Sequence, residues 1–420
     1  MFDRDRWQEI WEVLSKNKLR SFLTAFGVFW GIFMMIIMLA SGRGLQNGVS
    51  QDFGEMATNS MFIWTQGTSI PYKGLPRGRW FSLRLDDVDA IYNNIPEAKL
   101  VCPRNQLGGW QGANNVVRGL QTGAFSVYGD VPGYADVEKR NMAVGRFINE
   151  SDIQERRKVC VIGEAVYDAL YLPGEEVIGS YVRINGVYFQ VIGLFKSVKA
   201  GEDALEETQM IHIPFTTFAQ AFNRGDQVGW MALMSEDKVP VSVMQEKVLA
   251  LLKERHTVHP EDQRAFGSNN LEEEFQRMTN LFTGIKALSF FVGILTLIAG
   301  VIGVSNIMLV IVKERTKEIG VRRALGATPW KIMGQIIQES VVLTTLAGVT
   351  GLVIGVWLME GVNQALTQFG MDTGSFRNPE VKFGIVFVSL IILIVSGALA
   401  GLIPARRAVK IRPVDALRSE

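Results

Sequence analysis

The sequence predicts an α-helical membrane protein with four transmembrane helices and one α+β extracytoplasmic domain, and three observations carry this. Four apolar runs, Phe22–Ala40, Leu288–Val312, Ile336–Met359 and about Val381–Ile403, match the roughly 20 residues a helix needs to cross a bilayer. Between the first two, residues 43 to about 270 hold no run apolar enough to cross, so they read as a water-exposed domain. Lys and Arg gather at one end of every apolar run, which marks the cytoplasmic side.

Residues 1–20 place Trp7, Ile10, Trp11 and Leu14 on one face of an amphipathic helix, with Trp at the depth interfaces favour. Arg4, Arg6, Lys16, Lys18 and Arg20 precede the first apolar run, so the N-terminus is expected inside. That run is longer than a signal-peptide core and lacks a clean cleavage pattern, so residues 21–42 read as an uncleaved first span.

The domain of residues 43–270 is a mixture. Strand patterns fall on Met61–Thr65, Leu100–Cys102, Asn115–Leu120, Lys158–Ile162 and Gln209–Pro214. Helices are expected over Asp86–Asn94, capped by Asp86, and over Val241–Arg255. Asn185-Gly186 within YVRINGVYFQVIGLF is a type I′ hairpin signal. The segment from about 106 to 200 is mostly β, which suggests a β-rich part inserted into a mixed α/β one.

Residues 271–312 read as a stalk that continues into the second span, roughly 60 Å long if unbroken, with a break near Gly284 left open. The stretch 313–331, KERTKEIGVRRALGATPWK, is a short charge-dense helix between two spans. Glu314–Lys317 and Glu318–Arg322 have the spacing of helix-supporting pairs. Gly326 is placed for a left-handed cap, and Thr328-Pro329 for the start of the next helix. Ile319, Val321 and Leu325 are its large apolar residues, available to a partner or to lipid. The third span follows over 332–360, then an outer loop over 361–380, a fourth span over 381–403 and a basic tail over 404–420.

Gly27-x3-Gly31, Gly351-x3-Gly355 and Gly397-x3-Gly401 allow close helix approach, either within the subunit or at a dimer contact. The span centres carry no ionisable residue, which argues against a proton-coupled carrier; Glu339, with Gln335 and Gln338, marks a polar face near one end of the third span.

The composition fits. A net charge of +1 on 420 residues excludes a large nucleic-acid footprint. Mean hydropathy of +0.15 with 20% charged residues averages a membrane part and a water-soluble part. The two cysteines, Cys102 and Cys160, form no framework, and Cys160 in KVCVIG reads as a small buried hydrophobe. There is no GxxxxGK[ST] loop, HExxH or GxSxG motif; Gly42-Arg43-Gly44 follows a membrane helix instead of a strand. His256 and His259 read as a solvated pair, with His212 remote and no metal pattern completed.

ERTKEIGVRRALGAT and the closing GLIPARRAVKIRPVDAL resemble the permease domain of the MacB/FtsX family of ABC transporters. KNKLRSFLTAFGVFWGI and GRFINESDIQERRKVCVIGEAV…IGSYVRINGVYFQVIG resemble that family's first helix and MacB-like periplasmic core domain. The resemblance covers nearly the whole chain. It implies a multi-pass subunit of the bacterial inner membrane with both termini cytoplasmic, and an outer domain of α/β porter-like and β-rich sabre-like parts. It also implies assembly with a second permease copy or paralogue. The coupling helix then falls on Glu314, Arg315, Glu318, Ile319, Gly320, Arg322, Leu325 and Gly326. Arg323 stands where an uncharged residue such as Met is expected.

MacB carries its nucleotide-binding domain on the same chain. This sequence does not, so the resemblance implies a separate ABC ATPase subunit holding ATP and Mg, with no cofactor and no catalysis on this chain. The implied function is mechanotransmission for export or release of a substrate. A non-transporting envelope regulator and a lipoprotein-release permease stand as alternatives, and a periplasmic adaptor with an outer-membrane channel as further partners.

Overall fold

A computed structural model describes residues 18–54, 56–109, 112–197, 201–368, 376–381 and 383–411. The amphipathic helix expected over residues 4–20 and most of the basic tail lie outside the described residues. The chain divides into two compact units: a helical one (1–47, 281–371, 375–420) and an α/β one (48–280, 372–374).

Helix α1, Lys18–Gly54, contains the first span. The α/β unit then begins with β1 (Ser60–Thr65), β2 (Leu83–Arg84), α2 (Leu85–Asn94) and β3 (Ala98–Gln106). The N-cap of α2 is Arg84, one residue before Leu85. Asp87, in place of the expected Asp86, does the chemistry: its carboxylate accepts from the Arg84 N–H at 2.9 Å, Arg255 Nε at 2.7 Å and His256 Nε2 at 2.8 Å. Burial opposes ionisation of Asp87, but those donors outweigh it and pull its pKa down to about 2. His256 is therefore packed and hydrogen-bonded, with 13% of its side chain exposed, where the sequence suggested a solvated residue.

The chain next builds a barrel from β4 (Asn114–Arg118), β5 (Gln121–Asp130), α3 (Tyr134–Val137), β6 (Asn141–Gly145), α4 (Glu150–Gln154) and β7 (Val159–Gly163). It continues through α5 (Glu164–Leu170), β8 (Tyr181–Ile184), β9 (Val187–Lys196), α6 (Gly201–Thr208), β10 (Met210–Pro214) and α7 (Phe215–Ala221). In the β8–β9 hairpin Asn185 has φ 43° and Gly186 φ 93°, the two left-handed residues a type I′ turn requires. Strand β10 pairs antiparallel with β7 and parallel with β5, which closes the ring β5-β4-β8-β9-β7-β10. Closure leaves no exposed edge in that ring. The β-rich part thus runs on to β10, past the expected end near residue 200, because its last strand is needed to close it. Val116, Phe125, Val182, Phe189 and Ile211 fill the interior, together with the fully buried Cys160.

The chain then returns as β11 (Gln227–Val228), β12 (Trp230–Ser235), α8 (Val241–Arg255) and β13 (Phe266–Asn270). The antiparallel order β3-β12-β1-β13 extends the barrel sheet through β3. Helices α2 and α8 cover one face through Val88, Ile91, Met244, Val248 and Leu252. Where β3 leaves the barrel, Arg104 Nε lies 2.8 Å and His212 Nδ1 2.6 Å from the Asp130 carboxylate, all essentially out of water. Burial keeps His212 below its ordinary pKa, so a neutral imidazole donates to Asp130.

Helix α9, Leu271–Glu314, follows β13 directly and is a single 44-residue helix with no break at Gly284. At 1.5 Å per residue it is about 66 Å long. Helices α10 (Thr316–Ala324), α11 (Pro329–Gln368) and α12 (Phe383–Val409) complete the helical unit. Helix α11 carries on through residues 361–368, expected as loop, and α12 passes Pro404, expected to lie beyond its end. Among the described residues, four helices are long and apolar enough to cross a membrane.

All three Gly-x3-Gly pairs make contacts within the subunit. A Cβ at Gly31 would meet Thr296 of α9 at 3.1 Å, one at Gly351 the Phe29 carbonyl of α1 at 2.5 Å, and one at Gly401 the Ile337 Cα of α11 at 2.9 Å.

Candidate functional site

The candidate site is the elbow that joins α9 to α11. Arg315 leaves the helical region at φ −90°, ψ 15°, which ends α9 and starts α10 one residue later. Thr316 Oγ1 donates back to the Lys313 carbonyl at 2.7 Å and satisfies one of the carbonyls α9 would otherwise leave open. Helix α10 ends in a Schellman closure: Ala327 N–H donates to Arg322 O at 3.0 Å and Gly326 N–H to Arg323 O at 3.1 Å. Gly326 sits at φ +94°, the left-handed position the sequence assigned to it. Pro329 then opens α11.

Three ties fix this elbow. Ile319 is 9% exposed and packs into one core with Met308, Ile311, Val312, Ile332 and Ile336. This corrects the expectation that Ile319 is presented outward. Arg315 Nη1 lies 3.3 Å from Glu339 Oε1, a pair mostly withdrawn from water, and Gln335 Nε2 donates to the same oxygen at 3.3 Å. Arg322 Nη1 donates to Gln335 Oε1 at 2.9 Å, while the Glu318 carboxylate lies 3.9 Å from Arg315. The space among these groups is small, about 30 Å³. Third, Arg323 Nη1 donates to the carbonyls of Val409 at 2.6 Å and Ile411 at 2.7 Å, at the C-terminal end of α12. A cation there also suits the negative end of the helix dipole. The unexpected Arg323 is thus tied to the fourth span.

Of the sequence-assigned residues, Arg315, Ile319 and Gly320 face inward or sideways, whereas Glu314, Glu318, Arg322, Leu325 and Gly326 are exposed. Leu325 is 83% exposed and Trp330 80%. Sequence reasoning missed Trp330. The signal was present: Ile332 and Ile336 set the inward face of α11, and Trp330 falls off that stripe. The exposed residues of the elbow thus include the apolar Val321, Leu325 and Trp330 together with Lys317, Arg322 and Lys331. Among the described residues no group of three or more His, Cys, Asp or Glu is placed to hold a metal ion.

Comparison with known proteins places the chain. A family model described as MacB-like periplasmic core domain matches residues 21–251, and one described as FtsX-like permease C-terminal matches residues 290–413. The chain belongs to the MacB/FtsX family of ABC transporter permeases.

Among curated relatives, the macrolide export ATP-binding/permease protein MacB of Wolinella succinogenes is 32% identical over 97% of this chain and 59% of its own length. The pyoverdine export ATP-binding/permease protein PvdT of Pseudomonas putida is 28% identical over 98% of this chain and 59% of its own. This MacB/FtsX permease chain thus spans about three fifths of those relatives. The crystal structure of the periplasmic region of MacB from Actinobacillus actinomycetemcomitans is similar at a TM-score of 0.43 and 22% identity, over 55% of this chain and 96% of that one.

Proposed function

We propose that this chain is a permease subunit that passes force from a separate ATP-hydrolysing subunit, which holds ATP and Mg, to its α/β domain. The observation that carries the reading is the elbow itself. Leu325 and Trp330 are largely exposed on either side of a turn that a buried core and two sets of polar contacts hold in place. Large apolar residues on a rigid basic surface are what a protein partner buries, and such anchors typically contribute 2 kcal/mol or more.

The excess of Lys and Arg supports a topology with the elbow and both termini in the cytoplasm and the α/β domain on the outer side. Helix α9 runs without interruption from the end of β13 to Glu314, so a displacement of the elbow, passed through its packed core, has a continuous helix along which to travel. The relatives named as exporters support export or release of a substrate as the outcome. A second permease copy or a paralogue completes the proposed assembly.

The test is co-purification of the ATPase subunit with the natural chain and with Leu325→Asp combined with Trp330→Ala. Loss of two anchors is expected to lower recovery of the ATPase at least thirtyfold, at unchanged membrane insertion. Undiminished recovery and undiminished substrate-dependent ATP turnover would remove the elbow from the coupling path.

A further inference from the structure

The α/β unit carries a second surface feature, unrelated to the elbow. Residues 66–80, QGTSIPYKGLPRGRW, form a stiff hairpin with three cations and no acid. Tyr72 and Leu75 exchange backbone hydrogen bonds at 3.1 and 2.9 Å across Lys73 and Gly74, both at positive φ. Lower down, Thr68 N–H donates to the Arg79 carbonyl at 3.1 Å and Gly78 N–H to the Thr68 carbonyl at 2.6 Å.

One buried carboxylate pins the base. Asp262 accepts from the Ser69 N–H and hydroxyl at 2.7 Å each, from Ile70 N–H at 3.0 Å, from Arg264 N–H at 3.0 Å and from Ala265 N–H at 3.2 Å. Burial opposes its ionisation, but these donors win and hold its pKa at about 2, so the clasp is intact at neutral pH. Arg79 is spent on the carbonyls of His256 and Thr257 at 2.6 and 3.1 Å.

Between the hairpin and Arg264 lies a cleft of about 700 Å³, lined by Gln66, Thr68, Ser69, Arg77, Trp80 and Arg264. The Trp80 ring lies over Gly67, where an added Cβ would touch it at 3.6 Å, yet 77% of the residue is exposed. Arg77 and Arg264 are both exposed, and among the described residues neither pairs with a carboxylate. The lining thus offers two exposed guanidinium groups and a largely exposed indole, with no carboxylate among the lining residues. Its volume falls in the range of small-molecule sites, about 300–1,000 Å³.

We propose that this cleft binds a small organic anion, with Arg77 and Arg264 taking its carboxylate and Trp80 stacking on an adjoining flat apolar group. Guanidinium forks suit a carboxylate because they can donate two parallel N–H bonds to it. The indole supplies the apolar contact that a bare inorganic anion could not use. This assignment stands apart from the coupling role, and each can fail alone.

The test uses the full chain in lipid nanodiscs and two probes of one shape, naphthalene-2-carboxylate and neutral naphthalene-2-carboxamide, with binding followed by titration calorimetry. The natural chain is expected to bind the carboxylate at least tenfold more tightly than the amide. Arg77→Gln with Arg264→Gln should collapse that preference to less than threefold, and Arg77→Lys with Arg264→Lys should restore part of it. Trp80→Ala should weaken the carboxylate at least fivefold, whereas Arg183→Gln, an exposed side chain of β8, should leave both probes unchanged. Equal binding of acid and amide to the natural chain, or a preference that survives the double Gln variant, would overturn the assignment.

Discussion

Gly397 offers a quantitative test of how tightly the third and fourth spans are joined. A Cβ at this position would stand 2.1 Å from Thr344 Oγ1 and 2.8 Å from the Val341 Cα of α11. Rotation of Thr344 relieves the first clash at the cost of its hydrogen bonds to the Ser340 and Val341 carbonyls, at 2.9 and 3.0 Å. The second clash is with backbone and yields only if the helices separate. Overpacking of this kind costs about 1–3 kcal/mol, and the four side-chain carbons of Leu place Gly397→Leu at the upper end. Gly384 is the control on the same helix, since nothing lies within 4 Å of its added Cβ. Unfolding of each variant in mixed micelles is expected to show Gly397→Leu less stable than Gly384→Leu by about 3 kcal/mol, a shift of roughly a hundredfold in the folded ratio. Equal midpoints for the two variants would refute the close-contact account of these spans.

Ile319→Asp and Leu325→Asp should separate fold from coupling. The first puts a charge into the buried core and should impair assembly of the helical unit, whereas the second should leave stability within about 0.5 kcal/mol and lose only the ATPase. Acid should loosen the α/β unit in a defined direction. Asp87 and Asp262 both fall from 3.8 to about 2 on folding, so their contribution is fully present above about pH 4 and fades as pH drops toward 2. Far-ultraviolet circular dichroism should show Asp87→Asn with a flatter acid transition; an unchanged slope would contradict this. Lys317→Cys, in a chain with Cys102 and Cys160 replaced by Ser, should resist a membrane-impermeant maleimide in cells with a permeabilised outer membrane. Labelling there would invert the proposed topology.

What the sequence disclosed was local. Gly326 could be placed in a left-handed cap because the residues that demand it are its neighbours, and Asn185-Gly186 fixes its hairpin for the same reason. Apolar runs located the four spans but not their helix ends. Hydropathy tracks contact with lipid, and α11 and α12 continue as hydrogen-bonded helix beyond it to Gln368 and Val409. The features that escaped detection depend on distant partners. Strand β10 closes the barrel by pairing with β5, more than 80 residues upstream, and its own residues carry no sign of that. Ile319 could face lipid, partner or core from its position alone, and only Ile332 and Ile336 of the next helix decide the question. Arg315 needs Glu339, and Arg323 needs the carbonyls of Val409 and Ile411, at and just past the end of α12.

The elbow between the second and third spans is proposed as the surface a separate ATPase grips. A photo-crosslinking amino acid placed at 325, at 330 or at 319 tests it directly in the assembled complex. Covalent adducts with the ATPase subunit are expected from positions 325 and 330 and none from the buried position 319. Adducts only with lipid or with a second permease copy, while the ATPase still co-purifies, would contradict it.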